Sequence, residues 1–582
     1  MEQLNLMAEC SAFAIMICLS AIVGLYYGCV ERKQNTVSDY LLGGRDMTLI
    51  PITISLIASH ISGITLLGVP PETYIHGTQY ALTGMGFVLT GIIVEKFYLP
   101  VFYELQLTSM YEYLEYRFDG NVRSLMSIIY AFSLMLYIPV VIYIPALAFS
   151  QVTGLNVHTV TKIICSVCIF YTTIGGLKAV VWTDAIQGFF TAMSLIAVIV
   201  MGLKSIGGLR NMIKANEEGD RIEFFRMDPD PFLRNSFWTT SIGSLINSIA
   251  YLGLNPSTVQ RFVALPTYKL ARNALMYLML GVSTITSMTV LIGMLIYAKY
   301  KNCDPSTANY IEDNKSLLPY YVMDIAASYP GITGIFVAGL VSAALSTMSA
   351  HLNNVSGTIY EDLIVKMMGK RYSELTASII MKFTVIVMGV MCGILVLMVE
   401  QLKGILQMAV SLNSVTLGAF LSVFTLGIGF PFVNTRGAIY AIIASLGVSI
   451  WITFGTQIAI MNDELKFSEK NISITGCPID LQFKDKIDYS GLYRMNEDVY
   501  VSPNVQKVFT LSYMYFGTIG TVVGMAVGII VSLVFPSKQS IDPKLLTPCI
   551  RKYMHYEHKG KTKSDEIKIK ELKSAESQDT PL

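Results

Sequence analysis

Apolar residues recur along this chain in windows of about 20 residues, which is the length of a helix that crosses the hydrocarbon core of a bilayer. The pattern predicts an all-α polytopic membrane protein with about thirteen transmembrane helices. The windows lie near residues 9–29, 48–68, 79–102, 122–150, 156–177, 181–203, 237–256, 274–298, 329–351, 378–399, 404–428, 437–457 and 508–535. An odd number of spans puts the two chain ends on opposite sides of the membrane.

The composition indicates that lipid is the solvent of this chain. Hydrophobic residues make up 53% of the sequence and charged residues 14%, and the mean hydropathy is +0.53. These values lie outside the range of soluble domains. The formal net charge is +1 and the basic residues are dispersed, so nucleic acid is excluded as a partner. We expect one membrane domain over residues 1–537, whose first span has no basic leader and is retained.

Basic residues near the ends of the spans predict the orientation. On one side lie Arg32, Lys33, Arg45, Arg117, Arg123, Arg261, Lys269, Arg272, Lys366, Lys370, Arg371 and the basic residues that follow position 537. The positive-inside rule makes this side cytoplasmic, with the N terminus outside. The loop 204–236 opposes the rule, but long loops cross the membrane largely regardless of charge.

The last 45 residues differ from the rest of the chain. Residues 538–582 are rich in Lys, Glu, Ser and Asp and poor in aromatics, which predicts a disordered cytoplasmic tail. Its end, Thr580-Pro581-Leu582, matches the loose pattern of C-terminal peptides that bind PDZ domains.

Two glycosylation sequons agree with this topology. Asn314 and Asn471 each begin an Asn-x-Ser sequence in a long loop that the orientation places outside. Asn354 begins a third sequon, but it lies beside a span and we do not expect it to be used. Cys303 and Cys477 are the cysteines of the outer loops, where the sequence leaves a disulfide open.

The sequence shows no catalytic site. Gly560-Lys561-Thr562 resembles the end of a phosphate-binding loop, but His555 stands where such a loop needs its first glycine. No His-Glu-x-x-His motif occurs. We therefore expect no enzyme and no cofactor, and uphill transport then has to draw on an ion gradient.

Polar and small residues interrupt the second span. Ser59, Ser62 and Gly63 weaken the helix at its middle, and an unwound turn there would offer carbonyl oxygens to a cation. The alternative is that these small residues let helices pack closely.

The ninth span carries two adjacent hydroxyls, Ser346 and Thr347, in an apolar helix. Two hydroxyls and a few carbonyls suit a hard cation such as sodium. The alternative is that both hydroxyls bond to carbonyls one turn earlier.

Four segments of the sequence resemble the sodium:solute symporter family, which includes the glucose, iodide, multivitamin and monocarboxylate symporters. They are residues 55–74, 100–118 (PVFYELQLTSMYEYLEYRF), 175–187 (GGLKAVVWTDAIQ) and 338–362. The resemblance extends over about residues 10–535, and segments 100–118 and 345–347 are most similar to the monocarboxylate, multivitamin and iodide branch.

The resemblance implies a leucine-transporter-like fold of two inverted five-helix repeats, near residues 48–203 and 237–429. By motif, the sodium ligands would be the carbonyls of Ala58, Ile61 and Ala343 and the hydroxyls of Ser346 and Thr347. Asp184, at the cytoplasmic start of span six, matches an acid of the ion exit path. Its alternative is a carboxylate that the helix dipole favours at a helix N terminus.

By the same resemblance, Ser62, Thr65 and Trp238 would line the solute pocket at the midplane. The alternative for Trp238 is interfacial anchoring. Arg261 matches a family motif on the inner side, where it either anchors that loop to phosphates or carboxylates or takes part in gating.

Two residues depart from the family pattern, namely His60 beside the ion site and Pro256 where glutamine is common. His60 either titrates near neutral pH or stays neutral and hydrogen-bonded.

Together these features predict sodium-coupled symport of a small organic anion, such as a monocarboxylate or a vitamin carboxylate, across the plasma membrane by alternating access. Sodium is the coupling ion. The alternatives are a transport-inactive sodium-dependent sensor and a channel or uniporter on the same scaffold.

Overall fold

The fold was analysed in a computed structural model that describes residues 2–30, 36–311, 314–329, 331–399, 405–478, 490–537 and 541–552. The chain is mostly helical. In chain order the α-helices are α1 Glu2–Leu25, α2 Val37–Leu42, α3 Leu49–His60, α4 Gly63–His76, α5 Thr83–Phe97, α6 Leu99–Leu105, α7 Glu112–Arg117, α8 Gly120–Thr153, α9 Val157–Ile206, α10 Leu209–Glu218, α11 Ser244–Ser248, α12 Pro256–Val263, α13 Tyr268–Tyr300, α14 Leu317–Ala326, α15 Ile332–Thr358, α16 Val365–Met368, α17 Glu374–Val399, α18 Ile405–Gly429, α19 Thr435–Met461 and α20 Phe516–Val534.

Shorter elements connect these helices. The 3₁₀ turns are Gly43–Arg45, Thr78–Leu82, Asn314–Ser316, Lys507–Thr510, Tyr513–Tyr515 and Pro543–Leu545, and the π-helical turns are Tyr26–Val30, Thr239–Gly243, Ile249–Gly253 and Ile359–Ile364. Strands β1 Leu465–Phe467, β2 Tyr493–Asn496 and β3 Val499–Val501 form an antiparallel sheet in the order β1-β3-β2. The predicted all-α class describes most of the chain, and this small sheet after α19 is an addition that the sequence did not predict, because strands of three or four residues leave little periodic pattern.

The described residues contain 10 helices that are long and apolar enough to cross a membrane, or up to 11 if the bent pair α3 and α4 is one span. The count predicted from the sequence differs at two places. Helix α9 counts as one helix of 50 residues, although its non-helical residue Gly176 lies at the end of the first of the two predicted spans, 156–177 and 181–203. The segment predicted at 237–256 is a series of short α and π turns, none of which is long enough alone.

Helices α3 and α4 are two halves of a broken helix. They meet at an angle of 55°, and Ile61 and Ser62 between them have extended backbone angles. A Cβ atom at residue 63 would overlap the ring of Pro145 on α8, so glycine is required where α4 begins. The sequence-predicted weak point at Ser59, Ser62 and Gly63 is therefore the place where the helix breaks.

Helix α9 also contains a break. Gly176 has φ 55° and ψ −158°, a backbone conformation that other residues adopt only with strain. A Cβ there would lie 2.9 Å from the ring of Tyr40 on α2. The helix therefore has two arms, 157–175 and 177–206, which meet against α2.

Helix α15 lies at the centre of the bundle. In its most apolar window 89% of residues are buried, the highest share among the candidate spans. It packs against α9, α8, α17, α1 and α3. A helix that is surrounded by protein on all sides keeps its polar side chains away from lipid.

One end of the bundle, which we call the disulfide end, is built from the loops after α9, α13 and α19. Cys303 and Cys477 form a disulfide there, which decides the pairing that the sequence left open. Fully buried Arg221 joins the loop after α19 to α4, since it donates to the carbonyls of Ile75 at 2.7 Å and Asn471 at 2.8 Å.

The opposite end, which we call the Arg123 end, is held by ion pairs. Helix α8 runs between the ends, because Gln151 in its last turn bonds Ser316 at the disulfide end. In its first turn, Arg123 Nε lies 2.7 Å from Asp362 Oδ1 and Nη1 lies 2.6 Å from Glu115. These contacts fix α8 to the segment that follows α15.

Part of the predicted disordered tail is folded at the Arg123 end. The carbonyl of Leu545 accepts a hydrogen bond from Tyr113 at 3.1 Å, and Arg551 pairs with Glu104 at 2.5 Å. The prediction of disorder is therefore wrong for residues 541–552. It rested on amino-acid composition, which contains no information on contacts with helices that are distant in sequence. Residues 553–582, including Thr580-Pro581-Leu582, lie outside the described residues.

We predict that Cys303→Ser lowers the stability of the purified protein by about 2–4 kcal/mol, because the disulfide closes a long loop. The measurement is the thermal unfolding midpoint in detergent. Cys549→Ser is the matched control, since Cys549 is a free exposed thiol. An unchanged midpoint for Cys303→Ser would show that the disulfide does not restrain the loops.

Candidate functional site

The two adjacent hydroxyls of α15 face the broken end of α3. Thr347 Oγ1 lies 3.0 Å from the carbonyl oxygen of Ser59 and 2.9 Å from that of Ala343. Ser346 Oγ lies 3.4 Å from Ser59 Oγ. The bond back to Ala343 is the one that the packing alternative expects, but the contact with Ser59 crosses from one helix to the other.

Four of the five predicted sodium ligands are on the two helices that this contact joins. Ala58 and Ser59 lie in the last turn of α3, where no further turn of helix follows to bond the carbonyls. Ala343, Ser346 and Thr347 are buried on one face of α15. Ile61, the remaining predicted ligand, lies in the break itself. The structure thus brings the two predicted segments together at one place.

Asp184 on α9 is a charged group that contacts serines of both α3 and α15 beside these hydroxyls. It is fully buried, and its Oδ2 accepts from Ser55 at 2.7 Å and Ser59 at 3.0 Å, while Oδ1 lies 3.3 Å from Ser349 Oγ. The alternative of a helix-terminal carboxylate is wrong, because α9 continues for two turns on the side before Asp184 to its break at Gly176.

The cation that balances Asp184 is Arg261, on α12. Its Nη2 lies 3.0 Å from Asp184 Oδ2, and the exposed fractions of the two side chains are 1% and 0%. A buried charge without a partner would cost several kcal/mol, about 3–5 in measured cases. Arg261 therefore anchors its segment to a carboxylate inside the bundle, which is part of the anchoring alternative.

Sequence reasoning missed Ser55 and Ser349 as partners of this ion pair. A signal was present, because Ser55 and Ser59 are four residues apart and Ser346 and Ser349 three apart. Such spacings put hydroxyls on one face of a helix. Both pairs converge on Asp184 from different helices.

A cavity of about 150 Å³ adjoins the break, and we call it the central cavity. Ser62 and Thr65, two of the residues predicted for the solute pocket, line it. The other lining residues are His60, Ile61, Ile64, Tyr80, Thr83, Phe87, Tyr137, Ser244, Asn247, Ser248, Tyr251, Leu252, Val282, Thr286, Val410, Asn413, Ser414, Leu417 and Met514. Among the described residues, no Lys, Arg, Asp or Glu lines it.

Two predicted specificity residues lie elsewhere. Trp238 is 39% exposed and its indole donates to the carbonyl of Met227 at 3.2 Å, so its place in the pocket is wrong and the anchoring alternative fits. Tryptophan next to an apolar span is as common at a surface as in a pocket, which is why sequence alone misplaced it. Pro256 occupies the first turn of α12 and does not line the central cavity.

His60 is held by hydrogen bonds on both ring nitrogens. Nδ1 lies 2.8 Å from the carbonyl of Leu56, and Nε2 lies 2.8 Å from Thr258 Oγ1. A carbonyl only accepts, so Nδ1 donates, and a neutral ring then accepts from the threonine hydroxyl at Nε2. This arrangement fits the neutral alternative, and the ring also packs edge-on against Tyr251.

The sodium:solute symporter family model matches residues 40–445 of this chain. The chain belongs to the sodium:solute symporter family.

Relatives in this family match almost the whole chain. Sodium-coupled monocarboxylate transporter 1 of Xenopus laevis is 36% identical over 541 residues, which are 92% of this chain and 86% of the relative. Sodium-coupled monocarboxylate transporter 2 of Mus musculus is 34% identical over 94% of this chain and 88% of its own length. The sodium-dependent multivitamin transporter of Oryctolagus cuniculus is 32% identical over 93% of this chain and 85% of its own length.

Solved structures show the same fold. A Na⁺-coupled sialic acid symporter superposes with a TM-score of 0.72 at 22% identity, over 92% of this chain and 99% of that chain. The nucleobase-cation-symport-1 family transporter Mhp1 gives a TM-score of 0.52 at 12% identity, over 87% and 95% of the two chains.

The sequence relatives of this chain are sodium-coupled transporters and not enzymes. This finding confirms the prediction that the chain is not an enzyme.

We predict that Arg261→Gln lowers the stability of the purified protein by about 3–5 kcal/mol, because Asp184 then stays buried without its cation. Adding Asp184→Asn to the same chain should recover much of this loss, since neither charge remains. The measurement is the unfolding midpoint of the single and double variants.

The control is Arg272→Gln, whose side chain is 54% exposed in its pair with Glu95. Its effect should stay within about 0.5 kcal/mol. If Arg261→Gln is no more harmful than this control, the buried pair does not stabilise the bundle.

Proposed function

We propose that this chain carries a small organic anion, such as a monocarboxylate or a vitamin carboxylate, across the plasma membrane together with sodium. The substrate class rests on the monocarboxylate and multivitamin transporters that resemble it over most of its length. The transport mode is alternating access, in which one central site opens to each side of the membrane in turn.

The observation that carries the proposal is the contact between Thr347 on α15 and the carbonyl of Ser59, which lies in the last turn of α3 beside its break from α4. We propose that sodium binds here, to the carbonyls of Ala58, Ile61 and Ala343 and the hydroxyls of Ser346 and Thr347. All these ligands are neutral oxygens, which sodium accepts as a hard cation. Sodium would thereby hold α15 against the end of α3.

Asp184 lies where sodium would pass when it leaves the proposed site. Its carboxylate shares Ser59 with the proposed sodium site, because Ser59 Oγ lies 3.0 Å from Asp184 and 3.4 Å from Ser346 Oγ. An ion released from the hydroxyls therefore meets this carboxylate within one side-chain length. We propose that Asp184 draws sodium out of the site while Arg261 keeps the local charge balanced.

The solute would occupy the central cavity, on the other side of the break. Ser62 precedes α4, and Thr65 lies in its first turn, where its N–H bonds the carbonyl of Ser62 at 3.0 Å. The helix dipole is positive at this end of α4. This end of α4 suits a carboxylate in a cavity that no described lysine or arginine lines. The apolar lining, which includes Phe87, Leu252 and Leu417, suits a hydrocarbon portion.

Coupling follows from the position of the break between the two sites. Residues 58–61 would bind sodium and residues 62–65 the solute, so any movement of one half-helix changes both sites. The coupling is then a linkage between two ligands, in which each raises the affinity for the other.

We further propose thirteen spans, with inverted repeats near residues 48–203 and 237–429. Breaks in corresponding helices of two repeats are the usual sign of such a fold. The disulfide end would face outward, since it carries the disulfide and the exposed sequon residue Asn471. Asn314 and Asn471 would then carry glycans, and the Arg123 end would be cytoplasmic.

The substrate is tested by expression in oocytes, with currents and tracer uptake recorded for monocarboxylates, vitamin carboxylates, iodide and sugars. Symport of an organic anion requires uptake of one carboxylate class that disappears when choline replaces sodium. Uptake that continues in choline would favour the channel or uniporter, and a sodium-induced conformational change without uptake would favour the sensor.

We predict that Ser346→Ala and Thr347→Ala each raise the sodium concentration for half-maximal uptake, by about 5–10-fold if one ligand is worth about 1–1.4 kcal/mol. The control is Ser342→Ala, one turn away on the same helix, where the buried hydroxyl has no hydrogen-bond partner among the described residues. Unchanged sodium dependence in both ligand variants would refute the site.

A further inference from the structure

Glu72 on α4 and Arg234, in the loop before the π-helical turn Thr239–Gly243, form a second buried ion pair. Arg234 binds Glu72 with two parallel hydrogen bonds, Nε to Oε1 at 2.9 Å and Nη2 to Oε2 at 2.9 Å. The two side chains are 9% and 6% exposed. Asn235 also donates to Glu72 Oε1 at 2.9 Å, and the third guanidinium nitrogen of Arg234 donates to Gln407 on α18 at 2.7 Å.

Aromatic rings surround this pair. The guanidinium carbon of Arg234 lies 4.7 Å from the ring centre of Phe467 on β1 and 5.1 Å from that of Tyr513. The carbonyl of Arg234 accepts from Ser512 at 2.8 Å. Four separate parts of the chain therefore meet at this one arginine, namely α4, α18, the small sheet and the turn before α20.

This layer lies between two cavities. On one side is the central cavity, and on the other a cavity of about 70 Å³ at the disulfide end, which we call the outer cavity. The outer cavity is lined by His76, Gln79, Glu223, Arg226, Arg234, Asn235, Ser468, Glu469, Lys470 and Asp498.

Neighbouring residues of the same elements face the two cavities. Gln79 lines the outer cavity and Tyr80, the next residue, lines the central one. Gln407 binds Arg234, and Val410, one turn further along α18, lines the central cavity. Tyr513 packs on Arg234 and Met514 lines the central cavity. Three elements therefore line the central cavity with one residue and, within one turn of chain, line the outer cavity or contact Arg234 with another.

We propose that the Glu72–Arg234 pair is the outer gate of this transporter, the closure that has to open before a solute can pass from the outer to the central cavity. This inference rests on the orientation and the transport cycle proposed above. Arg234 and Glu72 are positioning residues in this role, since neither lines the central cavity.

The chemistry of the pair suits a closure that opens repeatedly. Two buried charges attract each other strongly but lose their hydration, so the intact pair has little net stability. When the pair opens, both charges return to water. The path to water is short on one side, because Arg234 and Asn235 already line the outer cavity. Because Glu72 lies on α4, separation of the pair also moves the half-helix whose first turn lines the solute site.

The test is the rate at which a membrane-impermeant, charged thiol reagent, added outside intact cells, modifies a cysteine placed in the central cavity. Leu417→Cys supplies that cysteine, and the parent chain without it gives the background. Neutralising the gate with Arg234→Gln in the Leu417→Cys chain should speed modification by about tenfold, the change expected when the closed state loses about 1.4 kcal/mol.

Two further variants sharpen this result. The exchanged pair Glu72→Arg with Arg234→Glu should bring modification back toward the slow rate, because the opposite charges are restored. Arg226→Gln is the matched control, since it removes an arginine that pairs with Asp498 on the wall of the outer cavity, outside the partition. The control should leave the rate unchanged.

The proposal is overturned if Arg234→Gln is modified at the rate of Leu417→Cys alone while surface labelling shows normal amounts of protein. If Arg234→Gln does not reach the surface, the double variant Glu72→Gln with Arg234→Gln leaves no unpaired buried charge and carries the same test. A faster rate only for reagent delivered from the cytoplasm would also overturn it.

The experiment measures access and needs neither solute nor sodium. A chain that transports no solute of the panel can therefore still pass it. If Arg234→Gln loses uptake but its cysteine is not modified faster, the gate proposal is refuted and the symport proposal is unaffected.

Discussion

The break between α3 and α4 is the constraint on which the rest of the structure depends. Unbonded backbone groups are not tolerated in lipid, so a broken helix inside the membrane has to find partners in protein or border a cavity. This chain does both, since Thr347 meets the Ser59 carbonyl on one side of the break and the central cavity adjoins Ser62 on the other. Pro145 packs against Gly63 and holds the start of α4 in place.

Buried charge pairs then connect the broken helix to the rest of the bundle. Ser55 and Ser59 tie α3 to Asp184, whose partner Arg261 lies on α12. Glu72 ties α4 to the loops of the disulfide end through Arg234. Each half of the broken helix is thus linked to a different part of the protein through a buried ion pair. Such a pair contributes little net stability when both charges are present, but removal of one charge is strongly destabilising. That arrangement suits a helix that moves between discrete positions.

The sequence predicted the features that depend on local pattern. Two hydroxyls in an apolar helix indicated Ser346 and Thr347, and small residues indicated the break. Tertiary pairing could not be read in this way, because Arg261 is 77 positions from Asp184 and nothing local distinguishes it from a loop arginine. Trp238 was misplaced for a related reason, since a tryptophan at the start of an apolar segment fits a pocket and an interface equally well.

The central claim is that sodium binds at the break, and direct binding to purified protein tests it without a solute. Sodium that binds only the folded protein raises the unfolding midpoint in a saturable way. The account predicts such a rise with sodium and not with choline at equal ionic strength, and its loss in Thr347→Ala. A wild-type midpoint that does not respond to sodium, or a Thr347→Ala variant that responds like the wild type, would contradict it.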